Sequence, residues 1–287
     1  MPWTAQLGSR LRSVLWYAPL YGLATIVYGA ASMACSSFDR GGRRQHAIAR
    51  AWARRLLRTA SVRTTVEGAE NLVQGSPSVM VCNHLSYMDV PVLFAALPLQ
   101  FRILARQGLF RIPFLGGHLR RSQHLAVDQS NPRASMRSLQ QAAAAVAAGL
   151  PLFVFPEAGR SFSGELQEFV PGAFYIAIQA QVPVVPMVLV GTFEILPPTT
   201  AHLRPGSVEL VICPAVATAG LTRADAAALA QRVREQMLGI YQRRRQLTVA
   251  PWRRSERQNT PLDGDRSAPP ERPTGATQAK SGEPPAV

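Results

Sequence analysis

Lysine is all but missing from this chain: of 31 basic residues, only Lys280 is not arginine. Acids are scarce as well, 17 against those 31, which leaves a formal net charge of +14 on 287 residues. An excess of that size implies an anionic partner, whether nucleic acid, acidic lipid head groups or an acidic carrier protein, and charge alone does not choose among them. Cysteine is equally sparse. Cys35, Cys82 and Cys213 stand far apart, with no CxxC pair and no Cys/His cluster, which argues against a zinc site or a disulfide framework and fits a reducing compartment. No GxSxG elbow occurs, Ser161 and Ser163 standing out of frame for one, and there is no Walker-type phosphate loop. A serine hydrolase and a P-loop nucleotidase therefore find no support. There is no internal repeat.

Charge is missing altogether from Ser13–Phe38, 26 consecutive positions. The stretch SVLWYAPLYGLATIVYGAASMA is long enough to cross roughly 30 Å of hydrocarbon as a helix. Pro19, Gly22 and Gly29 interrupt it, so a broken or leaflet-embedded segment is also open. Arg10 and Arg12 ahead of it and the small residues of SMACSS permit a signal peptide, but the run exceeds the usual apolar core of one and dense arginine follows at once. A buried core helix would suit the Gly and Ala content, though not the aromatic residues at both ends. Membrane attachment is the favoured expectation. Over 40–63 there are eight arginines, and Ile48, Ala49, Trp52 and Leu56 recur at helical spacing between Arg50, Arg54, Arg55 and Arg58. Such a basic amphipathic helix suits anionic lipid; RNA or a plain solvated face are the alternatives. Arginine on the C-terminal side of the apolar run predicts that the main domain faces the cytoplasm from an inner membrane.

With 47% hydrophobic residues the chain is long enough for one large core. SVMVC at 78–82 reads as a buried strand and 86–97 as a helix. The alanine-rich 135–148 reads as a helix stopped by Gly149. A strand at 152–155, a helix at 172–181, strands at 182–191 and 208–214, and a helix at 224–245 follow. Strands alternating with helices imply an α/β fold with a mixed, mainly parallel sheet flanked by helices. From 250 onward seven prolines and few apolar residues predict disorder. The resulting division is a membrane-associated helical segment at 1–64, a main domain at 65–249 and a tail at 250–287.

Two strands end in polar residues that a core does not need. NHLSYMD follows the first, so His84 emerges at a C-terminal strand end, where α/β folds place ligands. Ser86 suits the N-cap of the next helix, with Asp89 three positions on as in a capping box. From there Asp89 can face His84, fix its tautomer and raise the basicity of the other ring nitrogen, making a general base for an alcohol. FPEAGRS follows the second strand. Arg160 offers a planar fork of donors to a phosphate, Gly159 lets backbone approach it, and Glu157 can orient the arginine or accept from a hydroxyl. Cys82, two residues from His84, would point to the alternate face of its strand and read as core.

Together NHLSYMD and FPEAGRS resemble the first and third blocks of the 1-acyl-sn-glycerol-3-phosphate acyltransferase family of glycerolipid acyltransferases. IPFLGGHL at 112–119, GAF at 172–174 and VPVVP at 182–186 resemble further segments, so the resemblance covers about 65–220. It implies that fold, with His84 as catalytic base, Asp89 as its partner, and Glu157, Gly159, Arg160 and Ser161 in the acceptor site. It also implies acyl transfer from acyl-CoA or acyl carrier protein to a lysolipid, with no cofactor, no metal, no acyl-enzyme and no nucleic-acid partner. The acceptor expected first is 1-acyl-sn-glycerol-3-phosphate. The sequence departs from the family in two places. Ala158–Gly159 stands where the family has Gly–Thr, and Gln129 stands where a phosphate-binding arginine usually closes the second block. Arg120, Arg121 or Arg133 could stand in for it, or the acceptor could be another lysolipid, such as a lyso-aminolipid. A basic adaptor without activity is the reading from a different class.

Overall fold

A computed structural model describes residues 11, 13–72, 76–112, 115–200 and 202–258, the side chains of 248–258 excepted. After a π-type turn at Ser13–Tyr17, α1 spans Ala18–Cys35 and α2 Arg43–Thr59. Then come β1 (Val62–Glu67), β2 (Val79–Cys82), α3 (Asp89–Ala96), β3 (Arg102–Arg106), α4 (Leu115–Arg121) and β4 (Leu125–Val127). The rest is α5 (Pro132–Ala147), β5 (Leu152–Val154), α6 (Gly172–Ala180), β6 (Val184–Val190), α7 (Thr192–Ile195), β7 (Gly206–Ile212) and α8 (Ala226–Gln258).

The strands form one sheet in the order β1-β7-β6-β2-β5-β3-β4. Every neighbouring pair is parallel except β6 with β7. The sheet is thus mixed and mainly parallel, as the alternation of elements predicts. Because β2, β5 and β3 are parallel neighbours, the loops at their C-terminal ends emerge side by side. That is the edge at which NHLSYMD and FPEAGRS meet.

Alternation along each strand divides the core between the two faces of the sheet. Val79, Val81, Val154, Val184 and Val188 pack under residues of α5, α6 and α8. Met80, Cys82, Phe153, Met187 and Leu189 pack under α2 and α3. Both layers bury whole side chains, each contributing about 1.5–3 kcal/mol of transfer free energy. Cys82 lies fully inside the second layer, as its place in the strand predicts.

Several elements differ from the sequence reading. The apolar stripe of α2 is not free for lipid. Ala49, Ala53, Leu56 and Leu57 are buried, three of them in the layer that also holds Phe94 and Phe101. Only the opposite face, with Arg43, Arg44, Arg54, Arg55 and Arg58, is exposed. The hydrophobic period of this helix therefore marks a core contact, and β1 runs through the boundary set at 64/65. α8 continues past 245 to Gln258, and the remainder of the predicted disordered tail lies outside the described residues.

Among the described residues one helical stretch, Ser13–Phe38, is long and apolar enough to cross a membrane. It is docked on the domain. Tyr21 donates to the Leu56 carbonyl at 2.8 Å, Trp52 Nε1 to Thr25 at 3.1 Å, and Ser32 lies 2.8 Å from His118 Nδ1. The outer face carries Leu15, Trp16, Leu20, Leu23, Ile26 and Val27, all exposed.

Candidate active site

The end of β2 is shaped by Asn83. Its buried amide donates to the Leu189 carbonyl at 2.9 Å and accepts from the Leu189 N–H at 2.8 Å, extending the ladder of β6 by a side chain where β2 turns away. This turn delivers His84 to the sheet edge. His84 Nδ1 lies 2.8 Å from Asp89 Oδ2, and Asp89 is fully buried. The same oxygen accepts the Leu85 and Ser86 N–H groups at 2.8 Å each, so three donors hold one carboxylate. So placed, the Asp89 carboxyl oxygen accepts from Nδ1, fixing the His84 proton there and leaving Nε2 free to face a substrate. Asp89 Oδ1 is buried with no hydrogen-bond partner among the described residues.

The expected capping box is half realised. Asp89 reaches back to the Ser86 N–H, but the Ser86 hydroxyl accepts from Met88 N–H at 3.0 Å and donates to the Leu196 carbonyl at 2.7 Å. The helix consequently starts at Asp89 itself, with Met88 rather than Ser86 at its N-cap, two residues later than the capping box predicts.

FPEAGRS locks onto His84 at three points. The Phe155 ring stacks on the imidazole with centroids 3.8 Å apart. The His84 N–H donates to Glu157 Oε1 at 2.7 Å, and the His84 carbonyl accepts from Ser161 N–H at 2.9 Å. Glu157 therefore does not orient Arg160; it clamps the backbone of the base. Burial pushes the Glu157 carboxyl up to about 7, against the opposing pull of the hydrogen bonds from His84 and Gln167. The Ser161 hydroxyl is buried and pairs with Ser163 at 3.2 Å, so Ser161 acts here through its backbone.

Arg160 lies over the Tyr87 ring, its guanidinium carbon 4.2 Å from the centroid. Arg106, at the end of β3, donates to the Ala158 carbonyl, and a Cβ on Gly159 would sit 3.7 Å from its Nη2. Two guanidinium groups thus flank the FPEAGRS turn, neither in an ion pair among the described residues. Sequence reasoning missed Arg106, because one arginine ending a strand is indistinguishable among so many. Of the substitutes named from sequence, Arg120 donates to the Phe110 carbonyl, Arg121 lies 3.4 Å from Met33 Sδ of α1, and Arg133 is exposed on α5. Gln129 is exposed, after β4. Ala158 takes a left-handed φ of 56°, the conformation glycine adopts freely. Pro113 and Phe114 of IPFLGGHL lie outside the described residues.

His46 and His124 are not candidates for the same chemistry. Burial first, and positive neighbours including Arg102, push His46 down to about 4 and His124 to about 3. An apolar cavity of about 520 Å³ adjoins the site, walled by Tyr17, Tyr21, Tyr87, Leu196, Pro198 and Leu203. His84 thus has an open basic nitrogen, two cations nearby for an anionic substrate, and apolar space beyond Tyr87.

The pattern of the Acyltransferase family matches residues 63–190. A 1-acyl-sn-glycerol-3-phosphate acyltransferase of Saccharomyces cerevisiae is 30% identical over 232 residues, covering 79% of this chain and 76% of its own. One from Chlamydomonas reinhardtii is 34% identical over 180 residues, 61% of this chain and 53% of the relative. One from the chloroplast of Brassica napus is 32% identical over 214 residues, 72% and 61%. The chain thus spans little more than half the length of the last two. The crystal structure of the 1-acyl-sn-glycerophosphate acyltransferase of Thermotoga maritima superposes with a TM-score of 0.68 at 24% identity, covering 89% of this chain and all of that one. At that identity the likeness speaks for the fold.

Proposed function

The chain belongs to the acyltransferase family that includes the 1-acyl-sn-glycerol-3-phosphate acyltransferases, and on that premise we propose that it acylates the free hydroxyl of 1-acyl-sn-glycerol-3-phosphate. The donor is a fatty acyl thioester of coenzyme A or of acyl carrier protein, and the product is phosphatidic acid. The observation that carries this reading is the His84–Asp89 pair at 2.8 Å, set beside two arginines that form no ion pair among the described residues.

The acceptor hydroxyl gives its proton to His84 Nε2 as its oxygen attacks the thioester carbonyl. A C–O bond forms, the C–S bond breaks, and the proton on His84 passes to the departing sulfur as a thiol. No metal, cofactor or acyl-enzyme enters that balance. Asp89 stabilises the imidazolium formed in transit, a general-base contribution worth about 10²–10⁴ in rate. Arg160 and Arg106 supply a charge-assisted grip on the acceptor's phosphate. The cavity of about 520 Å³ beyond Tyr87 suits an acyl chain.

The exposed apolar face of α1 lies in lipid, and the docked face keeps the site at that surface. A helix bonded to its own domain from Tyr21 to Ser32 fits a leaflet-embedded attachment better than an independent span. On this reading the arginine-rich α2 face turns to anionic head groups, and the domain is proposed to sit on the cytoplasmic side of the inner membrane. An acylation assay in membranes with a panel of lysolipids tests the acceptor. Preference for lysophosphatidic acid supports the assignment; preference for a lysolipid without phosphate would assign Gln129 to a different acceptor and leave the acyl transfer intact.

A further inference from the structure

We propose that Gln167 is a positioning residue of this site, its side-chain amide tying the Glu157 carboxylate to the Gly159 carbonyl and so holding both the clamp on His84 and the turn that presents Arg160. This rests on the acyl-transfer reading above and adds to it a residue outside both sequence blocks. Gln167 Nε2 lies 3.3 Å from Glu157 Oε2 and 3.2 Å from the Gly159 oxygen. Its backbone N–H donates to the same carboxylate oxygen at 3.0 Å. Both side-chain partners are acceptors, so only the nitrogen end of the amide fits there.

The segment that carries Gln167 is fastened to α8. Arg234 Nε donates to the Gln167 carbonyl at 2.8 Å and Arg234 Nη2 pairs with Glu168 at 2.9 Å. Tyr241 donates to the Gly164 carbonyl at 2.7 Å. A line of direct contacts therefore runs from α8 through Gln167 and Glu157 to the His84 backbone. At its centre sits a carboxyl pushed up to about 7 by burial first, with the negative Asp89 of α3 adding to the rise. The other titratable groups facing it are the Cys82 thiol of β2 and the Tyr241 hydroxyl of α8, both raised by burial and thus neutral. Hydrogen bonds from His84 and Gln167 are what oppose protonation. Removing the Gln167 side-chain donor from Oε2 shifts that balance toward the neutral acid, which at Oε1 is a weaker acceptor for the His84 N–H than the charged carboxylate.

The test is the pH dependence of lysophosphatidic acid acylation by full-length wild type, Gln167→Met and Gln167→Glu, with the ¹³C carboxyl titration of Glu157 followed in parallel. Loss of the signal in Glu157→Gln assigns it. Methionine keeps the length and removes the donor. Gln167→Met is expected to be about tenfold slower at pH 6, equivalent to about 1.4 kcal/mol, with the deficit narrowing toward pH 9 and the Glu157 midpoint moved to higher pH. Gln167→Glu sets a second carboxylate against the first and moves the midpoint further. An equal loss at every pH with an unmoved midpoint would make Gln167 merely structural, and no loss at all would also overturn the proposal. If wild type does not acylate lysophosphatidic acid, the acceptor assignment fails, while the carboxyl titration still decides the role of Gln167.

Discussion

Replacing Asp89 by asparagine separates charge from shape at the centre of the site. Three donors, His84 Nδ1 and the Leu85 and Ser86 N–H groups, converge at 2.8 Å on Oδ2, while Oδ1 is buried with no partner among the described residues. An asparagine oxygen can take the place of Oδ2 and accept all three, and the amide nitrogen then falls where Oδ1 already lacks a partner. The loop and the His84 tautomer are kept, and only the negative charge is lost. That charge acts when the imidazole is protonated in the transition state. With charge centres roughly 5 Å apart and an effective dielectric of about 20, the lost attraction is about 3 kcal/mol, or a few hundredfold in rate. Because the term belongs to the transition state, Asp89→Asn should lower kcat by about 10²–10³ with little change in KM for either substrate. Thiol release from an acyl thioester donor, followed in detergent micelles with saturating lysophosphatidic acid, reads this directly. Thermal unfolding should show no more than about 1–3 kcal/mol of destabilisation from the buried amide donor. A folded Asp89→Asn protein within threefold of wild-type kcat would refute the role given to the His84–Asp89 pair.

Other consequences are as definite. Arg106→Ala and Arg160→Ala should each raise KM for lysophosphatidic acid by about 10–100-fold, from the loss of a charge-assisted contact of about 1.5–3 kcal/mol, whereas Arg120→Ala should not; steady-state kinetics decide. The Glu157 carboxyl, raised from 4.5 to about 7, favours the folded state fully below pH 4.5 and loses that contribution as pH rises through 7. The Tm of wild type should therefore fall relative to Glu157→Gln across that window, by the equivalent of up to about 3 kcal/mol, and parallel Tm curves would deny the raised value. Ala158→Gly should stabilise the domain by about 1 kcal/mol, since the left-handed φ of 56° costs alanine a Cβ clash, and chemical denaturation would measure it. Leu23→Glu together with Ile26→Glu, both on the exposed face of α1, should release the protein from membranes on mild washing without lowering its Tm. Retention of that variant would count against lipid contact at this face.

What the sequence disclosed was what alternation and strand-end chemistry can encode. β2, β5 and β6 are uniformly apolar and bounded by turns, and α5 is alanine-rich and followed by Gly149 at φ 100°, while its earlier start at the Asn131 cap was not read. β1, β3 and β4 were not legible: VRTTVE mixes charge and threonine at an edge, RILAR ends both ways in arginine, and LAV is three residues long. The apolar stripe of α2 was visible, but a stripe cannot say whether lipid or Phe94 and Phe101 covers it. In the site, His84 and Asp89 were legible because their spacing carries a mechanism. Glu157 was found, with the arginine or a substrate hydroxyl as its expected partner, but its clamp on the His84 backbone was not foreseen, since that depends on the β2–β5 pairing. Arg106 and Gln167 were invisible, being ordinary residues whose roles exist only where β3, β5 and the segment before α6 converge.

The measurement that bears most directly on the central claim is acyl transfer to lysophosphatidic acid by purified His84→Ala in membranes, beside wild type and with folding and membrane attachment verified in the same preparation. The account predicts phosphatidic acid from wild type and a loss of about 10²–10⁴ in the variant, with attachment unchanged. Phosphatidic acid formed by His84→Ala at a rate within a few-fold of wild type would contradict it.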